Sequence, residues 1–410
     1  MLSYTLEKAT LIEKLDQIAQ LISASHQNET LIGVLNGTSG MALFQFYYAK
    51  YLNSESPTDL GEEIIANCIE SINEGFGLPT FCNGIAGLGW TMDHLQQEDF
   101  IEIDNDEILA NLDDYLYTQM KADFALNNYD FLHGAIGYGF YFLKRWKNTQ
   151  DTDLKAQYHT YLLELVSFLK ETSEEKPEGT TWKSIVIQET KQEGYNLSLS
   201  HGMSSVVSFL NLLYAIDDFK ALVEPLLRGA VDYILFYRNK QQEGLSLFPS
   251  WINPGQDPLY KSRLAWCYGD LGIGLTLWKV AKNLQDSTLA DTALDIYTHA
   301  SQRKDPMDTA VTDAGVCHGS FGIAKMFDKM YQETQNPLFK ETAEFWLREA
   351  LQMDVHPDGL AGYKKFYPKD TNEQWKNDFC LLEGITGIGL TLIDFLSETP
   401  NNWDECLLIS

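Results

Sequence analysis

Two cysteines and one histidine stand in matching positions of two short, related stretches of sequence. Residues 314–322 read AGVCHGSFG, which places Cys317 beside His318 directly before a G-x-x-G step, and residues 266–272 read WCYGDLG, with Cys267 in the corresponding position. Thiolate and imidazole are ligands that suit zinc. Catalytic zinc commonly has three protein ligands and an open fourth position. The two stretches therefore predict one Zn²⁺ per chain, held by Cys267, Cys317 and His318.

The predicted ligand set also limits the chemistry. Two thiolates neutralise the formal charge of Zn²⁺ and make it a weaker Lewis acid than a zinc held by three histidines. The pKa of a free cysteine is about 8.5, and coordination to zinc deprotonates a thiol outright. This set therefore favours activation of a further thiol, from a substrate, over hydrolysis by zinc-bound water.

Three further side chains could transfer protons or hold an oxyanion beside this zinc. His201 lies directly before Gly202, Asp130 lies four residues before Gly134, and Arg263 lies four residues before Cys267. Each has a structural alternative as well. The histidine and the aspartate could cap helices, and the arginine could sit in a salt bridge.

The cysteines and histidines of this pattern have structural interpretations too. Cys267 and Cys317 could be ordinary buried thiols, which are common in cores. Cys82 occupies the same motif position but belongs to a distant repeat, so it is predicted to be a buried thiol outside the zinc site. For His133, structural hydrogen bonding is favoured over catalysis.

A recurring G-x-x-G motif allows the candidate site residues to be aligned with one another. Copies of G-x-x-G start at intervals of about 58 residues, at Gly37, Gly84, Gly134, Gly202, Gly269, Gly319 and Gly384. The fourth copy is degenerate, because Ser205 replaces its second glycine. An apolar segment follows each motif, as in a buried helix. Polar residues stand directly before six of the seven first glycines and aromatic Tyr268 before the other, in the order Asn36, Asn83, His133, His201, Tyr268, His318 and Glu383.

Amphipathic patterns precede the seven motifs, with apolar residues at three- and four-residue spacing that is typical of helices. They cover residues 6–23, 61–74, 106–121, 154–171, 219–239, 288–303 and 338–353. Asn105 is the predicted N-cap of the third helix. Asn336 followed by Pro337 predicts the start of the seventh.

Seven outer and seven inner helices predict an all-α fold, an α/α toroid, with residues 1–410 in a single domain. A closed ring needs no polar end caps, whereas an open solenoid does, and the first and last motifs are as apolar as the others. Longer loops at residues 174–196, 241–262, 304–314 and 354–378 precede motifs four to seven and suggest lids or binding walls. Within the first of them, Thr181–Ile187 alternates like a strand and suggests a small hairpin.

The composition disfavours several classes of partner. The chain has 30 basic and 58 acidic residues and a net charge of −28, which disfavours nucleic acid and anionic membrane surfaces. No apolar run is long enough to predict a membrane span, and the N-terminus lacks the features of a signal peptide. Six cysteines without a secretion signal indicate reduced thiols or metal ligands. The predicted compartment is the cytoplasm.

These motifs resemble those of the lanthionine synthetase C-like proteins. The resemblance rests on R-x-x-x-C-Y-G from Arg263 to Gly269, C-H-G from Cys317 to Gly319 and S-H-G from Ser200 to Gly202, and with the seven repeats it covers essentially the whole chain. It implies an α/α toroid with zinc at the mouth of its cavity. It also implies a reaction in which peptide cysteine thiols add to dehydroalanine or dehydrobutyrine and form lanthionine or methyllanthionine rings.

The resemblance implies roles for individual residues. Cys267, Cys317 and His318 would be the zinc ligands. His201 and Asp130 would be the acid and base residues, in an order that the sequence leaves open. Arg263 and Tyr268 would support them.

The resemblance further implies partners. The chain carries no kinase or lyase half, so it is similar to stand-alone cyclases that act on a dehydrated precursor peptide, made of a leader and a core. A separate dehydratase and an exporter would be further partners.

Other functions remain open at this point. A glutathione-adding relative of the same family is one, and a zinc-dependent alkyl transferase similar to a prenyltransferase β subunit is another, although that family's zinc ligands are Asp, Cys and His. The third is a non-catalytic, zinc-stabilised ring that binds peptides.

Overall fold

The computed structural model describes residues 2–187, 189–240, 246–368 and 373–410, so parts of three predicted loops, at 188, 241–245 and 369–372, lie outside the described residues. The helices are, in chain order, α1 (Leu2–Ser25), α2 (Thr38–Leu52), α3 (Ser56–Asn73), α4 (Ile85–Gln97), α5 (Asn105–Ala125), α6 (Ala135–Asn148), α7 (Thr152–Thr172), α8 (Met203–Tyr214), α9 (Asp217–Phe236), α10 (Asp270–Leu284), α11 (Ser287–Ala300), α12 (Pro306–Thr309), α13 (Ser320–Thr334), α14 (Pro337–Leu351) and α15 (Ile385–Leu396). Within the described residues, no helix is long and apolar enough to cross a lipid bilayer.

Seven of these helices form a closed inner ring. Each begins directly after the first glycine of a motif, and most of its side chains are buried. Going around the ring, α2, α4, α6, α8, α10, α13 and α15 each pack against the next, and α15 packs against α2. The outer helices α1, α3, α5, α7, α9, α11 and α14 pack on this ring. The α/α toroid predicted from the repeats is therefore confirmed.

One of the two predicted helix starts is wrong. Asp104, not Asn105, is the N-cap of α5, and its Oδ1 accepts the backbone N–H groups of Asp106 and Glu107 at 3.1 Å. Asn105 is the first helical residue, and its side-chain amide donates to Gln96 instead, at 2.8 Å. The cap at Asn336 is confirmed, because its Oδ1 accepts the N–H of Leu338 at 3.1 Å.

The second glycine of each motif allows a close backbone approach that a side chain would block. In all six complete motifs, a Cβ at this position would lie within 2.4 Å of the carbonyl oxygen six residues earlier; for Gly322 and the oxygen of Val316 the distance would be 1.8 Å. Ser205 has a Cβ at this position, so the loop before α8 cannot follow the same path. The helix itself forms, and the Ser205 hydroxyl donates to the Gly202 carbonyl at 2.7 Å.

A belt of backbone hydrogen bonds joins the motif loops around the mouth of the ring. Six of the seven steps between neighbouring loops carry such a bond, of 2.7–3.3 Å: Asn36 to Cys82, Cys82 to Leu132, Leu199 to Cys267, Cys267 to Cys317, Cys317 to Leu382 and Leu382 to Leu35, donor first. At the remaining step, between the third and fourth repeats, the Leu132 N–H binds the Asp130 carboxylate instead, at 2.7 Å.

The predicted hairpin at Thr181–Ile187 is only partly right. This segment contains the end of one strand and the whole of another, which belong to different sheets: β1 (Glu174–Lys176) pairs with β2 (Gly179–Thr181), and β3 (Ser184–Ile187), β4 (Gln192–Asn196) and β5 (Trp251–Ile252) form an antiparallel sheet in that order. Trp182 separates them, since its buried indole donates to the Leu169 carbonyl at 2.7 Å. Two short strands, β6 (Lys365–Phe366) and β7 (Trp375–Lys376), form a further hairpin in the last long loop.

The last residues of the chain are buried against the inner helices of the ring, with Trp403, Cys406, Leu407 and Ile409 fully buried. The Trp266 indole donates to the Leu407 carbonyl at 2.8 Å. Buried Lys325 of α13 binds Asp394 at 2.6 Å and Asp404 at 2.8 Å. This segment therefore lies inside the ring beneath the motif loops, because Trp266 belongs to the loop that carries Cys267 and Lys325 lies in the second turn of α13.

Candidate active site

The predicted ligands lie together at the start of two neighbouring inner helices. The thiol sulfurs of Cys267 and Cys317 and a ring nitrogen of His318 all lie within 4.8 Å of one another. Among the described residues, this is the only group of three or more Cys, His, Asp or Glu side chains so arranged. Cys267 precedes α10, and the other two precede α13. The belt bond from the Cys267 N–H to the Cys317 carbonyl, at 3.3 Å, aligns the two loops.

This group fits a zinc ion in number, type and spacing. Around tetrahedral zinc, with bonds of about 2.0–2.3 Å, neighbouring ligand atoms lie about 3.5 Å apart. Small side-chain rotations would close the observed spread to that distance. Three ligands would leave the fourth position for a substrate atom.

The pKa values of the two thiols are shifted in opposite directions. The pKa of Cys267 lies well below its ordinary value, chiefly because the Cys317 thiol donates a hydrogen bond to it, with His318 and Arg263 adding positive charge nearby. The pKa of Cys317 is raised far above its ordinary value by that same interaction. One thiolate is therefore already favoured, and a bound cation would release the second proton.

Two carboxylates flank the imidazole of His318. The Nε2 atom lies 3.7 Å from Asp313, and the Nδ1 atom lies 3.9 Å from Glu383. Burial lowers the pKa of His318, but the Cys267 thiolate and Asp313 raise it, and the net shift is upward. Asp313 also accepts the backbone N–H of Phe366 at 3.0 Å, which ties the β6–β7 hairpin to the site.

His201 and Asp130 form a pair at the open step of the belt. The Nδ1 atom of His201 lies 2.7 Å from Oδ2 of Asp130. The other carboxylate oxygen accepts the backbone N–H groups of Leu132 and His133, at 2.7 and 2.8 Å. Because Nδ1 is bound, Nε2 is the nitrogen of His201 that remains for a substrate.

The pair sits beside the thiol group. The N–H of Leu199, two residues before His201, donates to the Cys267 carbonyl at 3.0 Å. Burial lowers the pKa of His201, but Asp130 and then Cys267 raise it, and the net shift is upward. Burial raises the pKa of Asp130, whereas His201 and His133 lower it, and the net shift is downward.

The pair predicts a measurable effect on the protonation of His201. We expect Asp130→Asn to lower the pKa of His201, because burial would then act without its main opposing charge. NMR titration of the imidazole in both proteins measures this. An unchanged pKa in the variant would show that the two side chains do not interact.

Tyr268 lies beside His201, and Arg263 lies near the thiol group. The Tyr268 hydroxyl accepts a hydrogen bond from Asn196 at 3.2 Å, and its ring lies 6.4 Å from that of His201. Arg263 is half-buried, and its positive charge lowers the pKa of Cys267 and opposes the rise in the pKa of Cys317. Gly269 holds this loop in shape, with φ +94° and a Cβ position 2.1 Å from the Arg263 carbonyl oxygen.

Two further residues that stand just before a motif glycine, Cys82 and His133, lie outside the thiol group. Cys82 is buried. The ring of His133 stacks on that of His201, with centroids 6.1 Å apart.

Sequence reasoning missed two residues of the site. Asn196 links Tyr268 to the loop of His201, because its Oδ1 accepts the Ser198 N–H at 2.9 Å. Lys365 of β6 binds Glu383 at 3.2 Å and also pairs with Asp378. The position of Glu383 directly before a motif glycine was a sequence signal that it lies near the site. Nothing in the sequence placed Lys365 beside it.

Comparison with known proteins agrees with this architecture. Residues 30–408 match the sequence model of the family described as lanthionine synthetase C-like protein. The solved structure of nisin cyclase superposes with a TM-score of 0.72 at 19% identity, covering 97% of this chain and 96% of that one. A sugar epimerase from a ruminal bacterium matches with a TM-score of 0.40 at 10% identity, over 65% of this chain and 72% of that one, which is too low to inform the fold. The chain belongs to the lanthionine synthetase C-like family.

Proposed function

We propose that this chain is a zinc-dependent cyclase of dehydrated peptides, which joins cysteine thiols to dehydroalanine or dehydrobutyrine as thioether rings. The observation that carries the proposal is the meeting of two groups at one mouth of the ring. One is a Cys₂His group suited to a thiol-binding metal. The other is a hydrogen-bonded His201–Asp130 pair suited to proton transfer. The fold and the family support it, and nisin cyclase is by its name a cyclase.

Cys267, Cys317 and His318 would hold the zinc. Bound there, the ion would accept the substrate thiol at its open position and favour the thiolate over the thiol. Arg263 would add positive charge beside the thiolates, and the loops before α10 and α13 would fix the direction of approach.

The reaction needs two proton movements, and His201 and Asp130 are placed to serve them. The thiol proton leaves, a bond forms between sulfur and Cβ of the dehydro residue, and the π electrons move onto Cα and the adjacent carbonyl as an enolate. A proton added at Cα completes the ring, so the product is an isomer of the substrate. The raised pKa of His201 favours its protonated form, which can donate to Cα; its neutral form can accept the thiol proton.

Partners and compartment are part of this proposal. The substrate would be a precursor peptide with a leader and a dehydrated core, supplied by a separate dehydratase and removed by an exporter. The reaction would take place in the cytoplasm, where thiols stay reduced.

The test uses the zinc-loaded protein and a peptide that carries dehydroalanine and one cysteine. Ring formation leaves the mass unchanged but removes the free thiol, so thiol alkylation followed by mass spectrometry measures it. We expect thiol loss with enzyme, none after chelation, and recovery on adding zinc. Addition of glutathione to a thiol-free dehydrated peptide would indicate the glutathione-adding alternative. A protein that binds zinc and peptide but leaves every thiol free would contradict the proposal and favour the peptide-binding ring.

A further inference from the structure

The imidazole of His318 lies between two carboxylates that are held in different ways. Its Nε2 atom lies 3.7 Å from Oδ2 of Asp313, and its Nδ1 atom lies 3.9 Å from Oε1 of Glu383. A histidine that binds a metal through one ring nitrogen carries a proton on the other, and that N–H almost always donates to a carboxylate, a carbonyl or water. One of these two carboxylates can therefore fix which nitrogen of His318 is left for zinc.

Asp313 is held in a single orientation. Its side chain is 2% exposed. Its Oδ1 atom accepts the backbone N–H of Gly315 at 3.1 Å, and its Oδ2 atom accepts the backbone N–H of Phe366 at 3.0 Å. A carboxylate oxygen can accept from two donors, so Oδ2 can also accept from the imidazole. A shift of the ring by about 0.8 Å would shorten the separation to that of a hydrogen bond.

The two anchors of Asp313 come from different parts of the fold. Gly315 belongs to the loop that carries Cys317 and His318. Phe366 belongs to the β6–β7 hairpin, where it pairs with Trp375 and the two rings lie 5.1 Å apart. The oxygen that faces His318 is therefore fixed from outside the motif loop as well as from within it.

Glu383 is less suited to orient the imidazole. Its side chain is 35% exposed, and its charge is shared with Lys365 at 3.2 Å. Among the described residues, the only basic side chain paired with Asp313 is that of His318. A buried carboxylate is unfavourable unless it is well paired, so Asp313 gains more than Glu383 from an N–H donated by the imidazole.

We propose that Asp313 is a positioning residue whose Oδ2 atom accepts the Nε2–H of His318, which leaves Nδ1 to bind the zinc. Asp313 does not belong to the thiol group and is not itself a ligand. It sets the tautomer and the direction of the ring and makes the imidazole a better electron donor. The proposal rests on the zinc site of the proposed function, but a zinc bound through Nε2 would serve the same chemistry.

The experiment is NMR of the imidazole nitrogens in the full chain, labelled with ¹⁵N-histidine and loaded with Zn²⁺. The signals of His318 are those that change when zinc is added and that His318→Gln lacks. Nε2 couples to both carbon-bound protons of the ring and Nδ1 chiefly to one, so the two nitrogens can be told apart. We expect a protonated Nε2 and a metal-bound Nδ1.

Two matched variants separate the carboxylates. Asp313→Asn should weaken zinc binding by about 10- to 100-fold, the usual effect of losing a partner that orients a metal ligand. Glu383→Gln should weaken it by less than about fivefold, the scale of an exposed ion pair. Competition with a chelator of known zinc affinity measures both. The Nε2 proton of His318 should also exchange with water faster in Asp313→Asn but not in Glu383→Gln, which a merely structural role of Asp313 would not produce.

The possible results distinguish this role from the proposed function. Zinc bound through Nε2 of His318 would overturn the role of Asp313 and leave the cyclase proposal intact. An equal loss of zinc affinity in both variants, or a larger loss in Glu383→Gln, would also overturn it. An unmodified chain that binds no zinc would contradict the proposed function, and the role of Asp313 with it. Should Asp313→Asn fail to fold, the nitrogen that binds zinc in the unmodified chain decides the question.

Discussion

Replacing Cys317 by alanine is expected to remove zinc and cyclisation together. The variant would keep only Cys267 and His318, which are too few ligands for a stable tetrahedral site. Loss of partners that merely orient metal ligands typically costs 10- to 100-fold, so loss of a ligand itself should lower activity by about 100-fold or more. Elemental analysis should fall from about one zinc per chain to nearly none, and thiol alkylation of the peptide should show no ring formation.

The chain offers a matched control for this variant. Cys82 occupies the same motif position as Cys317 and takes part in the same belt of backbone hydrogen bonds, but it lies outside the thiol group. Cys82→Ala should therefore keep one zinc and normal activity. Cyclisation that survives complete loss of zinc in Cys317→Ala would contradict the metal mechanism. Zinc retained in full by both variants would show that the ion binds elsewhere.

Replacing His201 by alanine should leave the zinc in place but slow turnover by about 10²- to 10⁴-fold, the usual contribution of a positioned acid or base. The thiol group does not include His201, so zinc content should stay at about one per chain. The measurement is the rate of thiol loss at saturating zinc and peptide, with zinc content determined on the same sample.

His133→Ala is the control for this second variant. His133 stands in the same motif position of the neighbouring repeat, and its side chain is exposed. Only its backbone N–H binds Asp130, at 2.8 Å, and alanine keeps that group. Its ring stacks on that of His201 but makes no side-chain hydrogen bond to the pair, so we expect its turnover to fall far less than that of His201→Ala. Unchanged turnover in His201→Ala would instead remove His201 from the mechanism.

The ring of helices was predictable from sequence because the signal repeats seven times. The glycine spacing, the apolar segment after each motif and the amphipathic pattern before it all indicate one unit, so a weak copy such as the one at Gly202 does not obscure it. The same frame explains why Cys267, Cys317 and His318 could be grouped from sequence. Each lies one or two residues before a motif glycine, and neighbouring repeats must be adjacent in a ring.

Features that depend on contacts between distant segments were not predictable. Asp104 and Asn105 are both suitable caps, and what decides between them is the contact of Asn105 with Gln96, which depends on how α4 meets α5. Similarly, the sequence alternation at Thr181–Ile187 does not reveal that Trp182 enters the core against α7. The contact of Asp404 with Lys325 forms only when the ring is folded, and no periodic pattern in the sequence predicts it.

The belt of backbone hydrogen bonds has a mechanical consequence for the mouth of the ring. Six of its joints are amide-to-carbonyl links that can lengthen only if whole repeats separate. At the seventh step, a hydrogen bond between the His201 and Asp130 side chains joins the third and fourth repeats. These side chains can change rotamer without moving the backbone. Opening of the ring to admit a peptide would therefore be easiest between the third and fourth repeats. Under the proposed function, this is also the link at which a proton would be transferred, so opening of the ring and protonation of His201 would be linked.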